Sequence, residues 1–556
     1  MQSTMMDYPL TLAHLLERAG RYFPKVEVVS RLPDGSIHRS TYREFHRRAK
    51  ALAEALTRAG LKRGDRVATL MWNHYAHLEA FFGIPAAGGV VHTLNIRLAP
   101  DDIAYIANHA EDRFLIVDDA LLPLLERFKD GVRFARIFVV PLAGGAPAGE
   151  YENYEDLVKS ASGDFSYPEL GENEPAGMCY TSGTTGRPRG VVYSHRSTVL
   201  HAYNVALAGA IGGARDVSLA AVPMFHANAW GFPHAQVLIG AKPVMPGPKL
   251  DALSLLELFE AEQVTVGAGV PTIWLGVLEA LDREPRRWRL SPRLQLMVGG
   301  SAVPESMLRG FDRHGITIVH AWGMTETSPL ATVARLKPHM DSIGEDHRYA
   351  ERAKQGFPLP FVELRVRSEG IDVAPDGKSI GEVQVRGPYI TAGYYKLPPD
   401  SDKFAADGWL RTGDVATLDA EGAIKITDRI KDLIKSGGEW ISSVDLENAL
   451  MGHPAVAEAA VIAVPDPKWD ERPLAVVVLK QGARATADEL RSFLLKRKFA
   501  KWWLPEEFAF VAEIPRTSTG KFLKSKLRDE FRDRARPHKP GPSAKTRKPG
   551  ARAEKR

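Results

Sequence analysis

One cysteine, Cys179, is all that the 556 residues contain, so no disulfide can form within the chain. That excludes the disulfide-stapled class and makes a reducing compartment, the cytoplasm, the expected location. Long hydrophobic runs are missing as well: none reaches the roughly 18 residues that a membrane helix needs. The opening MQSTMMDYPL lacks a basic stretch leading into an apolar core, so it does not read as a secretory signal. No internal repeat is visible. Charge of one sign is also scarce in the body of the chain. The formal net charge is +5, but from Arg536 onward eight Lys/Arg face only Glu554, which puts +7 in the tail and −2 in the rest. The tail is rich in Pro, Gly and Lys and is expected to be a disordered, solubilising end. Peripheral contact with anionic lipid or nucleic acid is its minor reading, and no specific nucleic-acid site is expected.

What is present is the composition of an ordinary globular protein, 44% hydrophobic and 25% charged. The length calls for more than one domain, because single cores stop growing beyond about 250–300 residues. Helical and extended patterns alternate: helix at 41–60, strand at 66–71, helix at 77–87, strand at 89–93, helix at 100–109, strand at 114–117. The alternation resumes with a strand at 217–222, a helix at 250–263 and a strand at 264–267. This predicts α/β layers with largely parallel sheets. Residues 381–386 and 422–427 read as antiparallel or barrel-type strands. A smaller α+β unit is expected from about Ile430. Its signals are a helix cap at Ser442 and Asp445, strands at 456–464 and 474–479, and a helix at 488–497. The expected division is 1–429, 430–535 and the tail 536–556.

The densest chemical signal is residues 180–190, YTSGTTGRPRG. Glycines let backbone N–H groups approach an anion, and hydroxyls add donors or a metal ligand. Arg187 and Arg189 add charge that a phosphate can use. The Gly-Lys-Ser/Thr ending of a Walker loop is missing, and apolar flanks make this strand–loop–strand.

This stretch resembles the phosphate-loop signature of the adenylate-forming superfamily, which includes acyl-CoA synthetases, luciferases and peptide-synthetase adenylation domains. Further stretches are similar to that family's motifs, in its order: MFHANAW at 224–230, GGSA at 299–302, AWGMTET at 321–327, GWLRTGD at 408–414, DRIKDLIK at 428–435 and PRTSTGK at 515–521. The resemblance covers roughly residues 10–532 and is nearest to medium- and long-chain fatty acyl-CoA synthetases. It implies a large domain of two α/β subdomains with a small β-barrel-like part, followed by a small mobile domain. It also implies ATP, Mg²⁺ and coenzyme A, with a small carboxylic acid as substrate. Homodimerisation is left open.

Site residues follow from the matching motifs. Thr181, Ser182, Gly183, Thr184, Thr185 and Gly186 form the phosphate loop, with Thr184 on the metal or the β/γ-phosphates. Glu326 matches the Mg²⁺-associated carboxylate, and Thr325 the α-phosphate ligand. Gly300, Ser301 and Ala302 wall the adenine, Trp322 lies against its face where the family usually has Tyr, and His320, Ala321 and Gly323 flank it. Asp414 takes the ribose hydroxyls, with Arg429 beside it. Lys521 is the cation of adenylation. Lys431 sits at the family's hinge, and Lys435, Gly437, Gly438 and Trp440 serve the thioester step. His226, Trp230 and Val298 resemble the acid-pocket wall.

No cation for a second carboxylate and no carboxylate for an amino group stands among these positions, so an apolar acyl tail is expected. The leading reading is a ligase for medium- or long-chain fatty acids, and the alternative is a short acid such as 3-methylthiopropionate. Two other classes are weighed: a luciferase-like oxygenase, and a non-catalytic scaffold using the basic tail. Filled catalytic positions argue against the scaffold.

Overall fold

The computed structural model describes residues 1–144, 151–181, 187–208, 211–398, 402–437, 439–497, 499–517 and 521–531. The expected tail and most of the phosphate loop therefore lie outside the described residues. Two compact units divide the chain. The first is Met1–Lys431 together with Arg516–Phe522, and the second begins at Asp432.

In the first unit, a seven-stranded sheet carries the strands Asp112–Asp118, Arg66–Leu70, Val90–Thr93 and Pro175–Tyr180 side by side and parallel. Gly190–Ser194 closes one edge antiparallel to Pro175–Tyr180. Near-continuous apolar runs form these strands because helices cover their faces, among them Tyr42–Arg58 and Tyr75–Ala86. A nine-stranded sheet has a parallel centre, including Thr317–Gly323, Gln295–Val298, Val266–Gly269 and Val217–Ala220, with antiparallel strands at both edges. One large apolar cluster joins residues of both sheets, and a second lies under the helices Ala252–Glu262, Pro271–Arg283 and Glu305–Arg313.

A third sheet is five-stranded and antiparallel: Ile371–Asp372, Glu363–Ser368, Ile380–Arg386, Leu410–Leu418, Ile424–Arg429. Its two outer strands do not pair with each other, and Ile424 of the last one bridges Gly356, so the barrel-like expectation resolves into an open sheet among the described residues.

The second unit packs the hairpin Val456–Asp466 and Asp470–Leu479 against the helices Ser443–Met451 and Ala487–Lys496. Ser442 Oγ accepts from the Asp445 N–H, as the capping signal predicts.

Candidate active site

The first unit gathers most of the chemistry-bearing motifs. Register pairing sets Tyr180 opposite Gly190, and beyond it Thr181 and Arg189 close the mouth of the glycine-rich loop. Thr181 N–H donates to the Arg189 carbonyl at 2.9 Å, and Arg189 N–H donates to Thr181 Oγ1 at 3.1 Å. Ser182, Gly183, Thr184, Thr185 and Gly186 lie outside the described residues. The Arg189 guanidinium lies 5.1 Å from the Tyr394 ring centre, a cation–π contact. Tyr394 O–H donates to Glu326 Oε1 at 2.8 Å, and Tyr193 O–H donates to the Thr325 carbonyl at 2.8 Å. Two tyrosines thus tie the loop strands to the Thr325–Glu326 turn. Nothing in the sequence marks either one; only the pairing brings them there.

Glu326 is 6% exposed, and Tyr394 occupies one of its oxygens. No group of three His, Cys, Asp or Glu able to hold a metal occurs among the described residues. A single carboxylate fits Mg²⁺, which keeps waters and phosphate oxygens as its other ligands.

The stretches expected to wall and flank the adenine are shaped by close approach. A Cβ on Gly323 would fall 1.7 Å from the Pro329 carbonyl oxygen, and one on Gly299 would fall 2.9 Å from the Ala321 carbonyl oxygen. Gly300 has φ +88°, Ser301 is exposed and Ala302 half-buried. His320 is buried, with Nδ1 3.0 Å from the Ala353 carbonyl, and burial lowers its pKa to about 4, so it is neutral at pH 7. Trp322 is only 8% exposed and joins the core of the antiparallel sheet. Its indole N–H donates to Asp414 Oδ2 at 2.9 Å, and Arg429 Nε meets Asp414 Oδ1 at 2.8 Å.

Lys521 belongs to the first unit. Thr517 N–H donates to the Lys521 carbonyl, and Lys521 N–H donates to Thr517 Oγ1. A Cβ on Gly300 would stand 3.9 Å from Lys521 Cε. Burial, then Arg429, pulls its pKa down to about 8, with Asp414 and Glu326 opposing.

Trp230 ends an unusual turn. Ala227, Asn228, Ala229 and Trp230 have φ of 41°, 54°, 47° and 57°, and Gly231 follows at 78°. Left-handed backbone costs an L-residue roughly 1–2 kcal/mol, so the surroundings must hold it. Cys179 Sγ lies 3.2 Å from Asn228 Oδ1 and 3.3 Å from Thr93 Oγ1, which makes the cysteine the buried core residue expected. A Cβ on Gly299 would meet the Trp230 ring at 3.3 Å, so Trp230 and Gly299 are neighbours. His226 is half-buried, its ring 4.8 Å from that of Phe225.

Val298 is completely buried in the cluster under the three helices, whereas Trp230 packs on the cluster that joins the two sheets. Successive strand residues face opposite ways, and Met297 belongs to the cluster on which Trp230 packs.

The second unit holds the other candidates. Lys435 is exposed, its ammonium 5.9 Å from the Trp440 ring centre, and Trp440 is 44% exposed. Gly437 has φ +62° and donates its N–H to the Trp469 carbonyl at 2.7 Å. Gly438 lies outside the described residues. Lys431, exposed, is the last residue of the first unit's main segment.

The model of the AMP-binding enzyme family matches residues 16–395, and that of the AMP-binding enzyme C-terminal domain matches 445–521. Among curated proteins, a long-chain-fatty-acid–CoA ligase of Thermus thermophilus is 51% identical over 534 residues, covering 96% of this chain and 97% of that protein. A 3-methylmercaptopropionyl-CoA ligase of Ruegeria lacuscaerulensis is 43% identical over 542 residues, covering 96% and 99%. Among solved structures, the anthranilate CoA ligase AuaEII in complex with anthranoyl-AMP is similar with a TM-score of 0.83 and 26% identity, covering 94% of this chain and 98% of that one.

Proposed function

The chain belongs to the AMP-binding enzyme family, and we propose that it joins a medium- or long-chain fatty acid to coenzyme A at the expense of ATP. It is an AMP-forming acid–CoA ligase, with ATP, Mg²⁺ and CoA as its reaction partners. The observation that carries the site assignment is Lys521, whose Cε lies 3.9 Å from where a Gly300 Cβ would stand and whose charge is felt by Arg429, Asp414 and Glu326, with Arg429 paired to Asp414.

In the first half-reaction a carboxylate oxygen of the acid attacks the α-phosphorus, and the bond to pyrophosphate breaks. In the second, the CoA thiol attacks the carbonyl of the acyl-adenylate, and AMP leaves. The protein's work is positional and electrostatic. Lys521 sets a compact positive charge where attacking and α-phosphate oxygens would meet. Asp414 grips the ribose and Thr325 the α-phosphate. Glu326, with the loop hydroxyl of Thr184, would hold Mg²⁺, which neutralises phosphate charge when bound. Lys435, Gly437 and Trp440 serve the thioester step, where a glycine leaves room for a thin pantetheine arm. Residues 1–429 and 430–535 act as separate domains in this reading, with Lys431 as the hinge between the two steps.

The Lys521 pKa of about 8 gives a pH test. The proton is needed for adenylation, so kcat/KM for acid-dependent pyrophosphate release is expected to fall above about pH 8. Thioester formation from supplied acyl-adenylate is expected to lack that limb. The sign for stability is opposite. Above about pH 8 the folded protein has already lost a proton that the unfolded chain keeps up to its ordinary value of 10.5, so this group's contribution rises with pH there and is lost as pH falls through 8. A pH profile of pyrophosphate release identical to that of the thioester step would remove Lys521 from this role.

A panel of acids from C3 to C18, read as CoA-dependent AMP release, tests the substrate. Each buried methylene is worth up to about 0.8 kcal/mol, so kcat/KM is expected to climb and level off beyond C8, with Trp230→Ala changing the long-chain end most. The strained turn supports a gate, because it holds Trp230 against Gly299. An optimum at C3 to C5 that Trp230→Ala extends upward would make Trp230 a floor. The short thioether acid, favoured by the Ruegeria relative, would then be the substrate.

A further inference from the structure

Trp322 stands where the resemblance implies a ring against adenine, yet its nitrogen is engaged elsewhere. The indole N–H donates to Asp414 Oδ2 at 2.9 Å. Arg429 Nε meets the other oxygen, Oδ1, at 2.8 Å. Asp414 is 3% exposed, so bulk water does not compete freely for it. A carboxylate accepts about four hydrogen bonds, two at each oxygen. Among the described residues, the Trp322 N–H fills one position on Oδ2 and the Arg429 guanidinium pairs with Oδ1 as an ion, so both oxygens keep lone pairs to offer.

Neither donor is free to swing away. Trp322 packs in the apolar cluster with Ala331, Val362, Val385 and Tyr389, and its strand pairs Trp322 with Thr332. Arg429 is the direct cross-strand partner of Asp414 in the antiparallel sheet, which keeps the guanidinium within a short reach. A third contact, from the Asp414 N–H to Thr412 Oγ1 at 3.1 Å, fixes the backbone beneath the carboxylate.

The geometry points to Trp322 as a positioning residue for the nucleotide. Its indole N–H, opposed by the Arg429 charge, locks the plane of the Asp414 carboxylate so that each oxygen offers a lone pair to one of the two vicinal ribose hydroxyls. This rests on the reading that Asp414 meets the ribose. The function is selectivity for an intact cis-diol, set before the nucleotide arrives. A phenylalanine at 322 keeps an aromatic ring and loses the lock.

The test compares Trp322→Phe with an isosteric replacement at the same position, benzothienylalanine, in which sulfur takes the place of the indole N–H. Hydrogen bonds to charged groups contribute roughly 1.5–3 kcal/mol, so both variants are expected to raise KM for ATP by about tenfold or more. KM for the acid is expected to stay within twofold. The preference for ATP over 2′-deoxy-ATP and 3′-deoxy-ATP is expected to shrink in both variants, because a carboxylate free to rotate no longer presents two matched acceptors. A merely structural tryptophan would move the two KM values together and leave the deoxynucleotide ratios alone, and that result overturns the proposal. So does loss in Trp322→Phe with none in the benzothienylalanine protein, which would assign the effect to ring volume. If Trp322→Phe does not fold, the isosteric variant alone decides. Wild-type enzyme that forms acyl-adenylate and CoA thioester while both variants keep the ATP KM refutes the lock and leaves the ligase reading intact.

Discussion

Lys521→Ala is expected to stop pyrophosphate release from acid plus ATP while largely sparing thioester formation from supplied acyl-adenylate and CoA. The two half-reactions make different demands. The first brings a carboxylate against a polyphosphate, and two anions must be held together in a partly dry site, where a fixed positive charge is worth far more than in water. In the proposed reading Lys521 is the cation for this step: its Cε lies near Gly300 and its charge is felt by Asp414 and Glu326. Loss of one such electrostatic contact costs about 10²–10³ in rate. The second half-reaction begins from a mixed anhydride whose phosphate carries a single charge, and no second anion attacks it as an oxyanion. The measurement is pyrophosphate release in parallel with thioester formation from synthetic acyl-adenylate. Equal loss of both would mean that Lys521 supports the fold and not the chemistry. Lys521→Arg sharpens the comparison, because it keeps the charge and changes its reach.

The architecture was legible because its signals are local. Apolar runs of four to seven residues between helical stretches announce parallel strands, and the strands Arg66–Leu70, Val90–Thr93 and Val217–Ala220 fall where those runs are. The open five-stranded sheet was less legible. Whether an antiparallel sheet closes depends on its edge pairing, and edge pairing is not written in any one strand. The site divides in the same way. Motif residues such as Asp414, Glu326 and Trp322 are proposed from the family resemblance of the short stretches that hold them. Their partners are not. Tyr394 reaches Glu326 from 68 residues away, and Trp322 reaches Asp414 across 92. Strand alternation adds a further distinction that motif matching does not carry: Val298 and Met297 belong to different apolar clusters, and Trp230 packs on that of Met297. The left-handed turn at Ala227–Gly231 left only a faint trace in composition: Asn228 and Gly231 are residue types that favour positive φ, but alanine and tryptophan are not.

Lys431→Pro is expected to leave an enzyme that forms acyl-adenylate and then stalls. Lys431 is exposed and is the last residue before the compact unit beginning at Asp432. Just before it, the Ile430 N–H still donates to the Gly413 carbonyl, so the backbone is tied on one side of this residue. A hinge works by changing φ and ψ at one or two positions. Proline fixes φ near −65° and biases the residue before it toward extended backbone. If the second step needs a different backbone conformation here, the variant cannot adopt it. Misplacement of reacting groups by about 1 Å can cost 10²-fold, so CoA-dependent turnover is expected to fall by about that factor or more. Lys431→Ala separates the hinge from the charge: it removes the ammonium and leaves the backbone free, and its thioester step is expected to stay within severalfold of wild type. Rapid-quench measurement of enzyme-bound adenylate supplies the decisive reading. Adenylate that accumulates to about one equivalent in Lys431→Pro and persists after CoA is added supports a hinge at this residue. Normal steady-state turnover in that variant places the change of conformation elsewhere. Equal damage in Lys431→Ala would show that the side chain, and not the backbone, is what the second step requires.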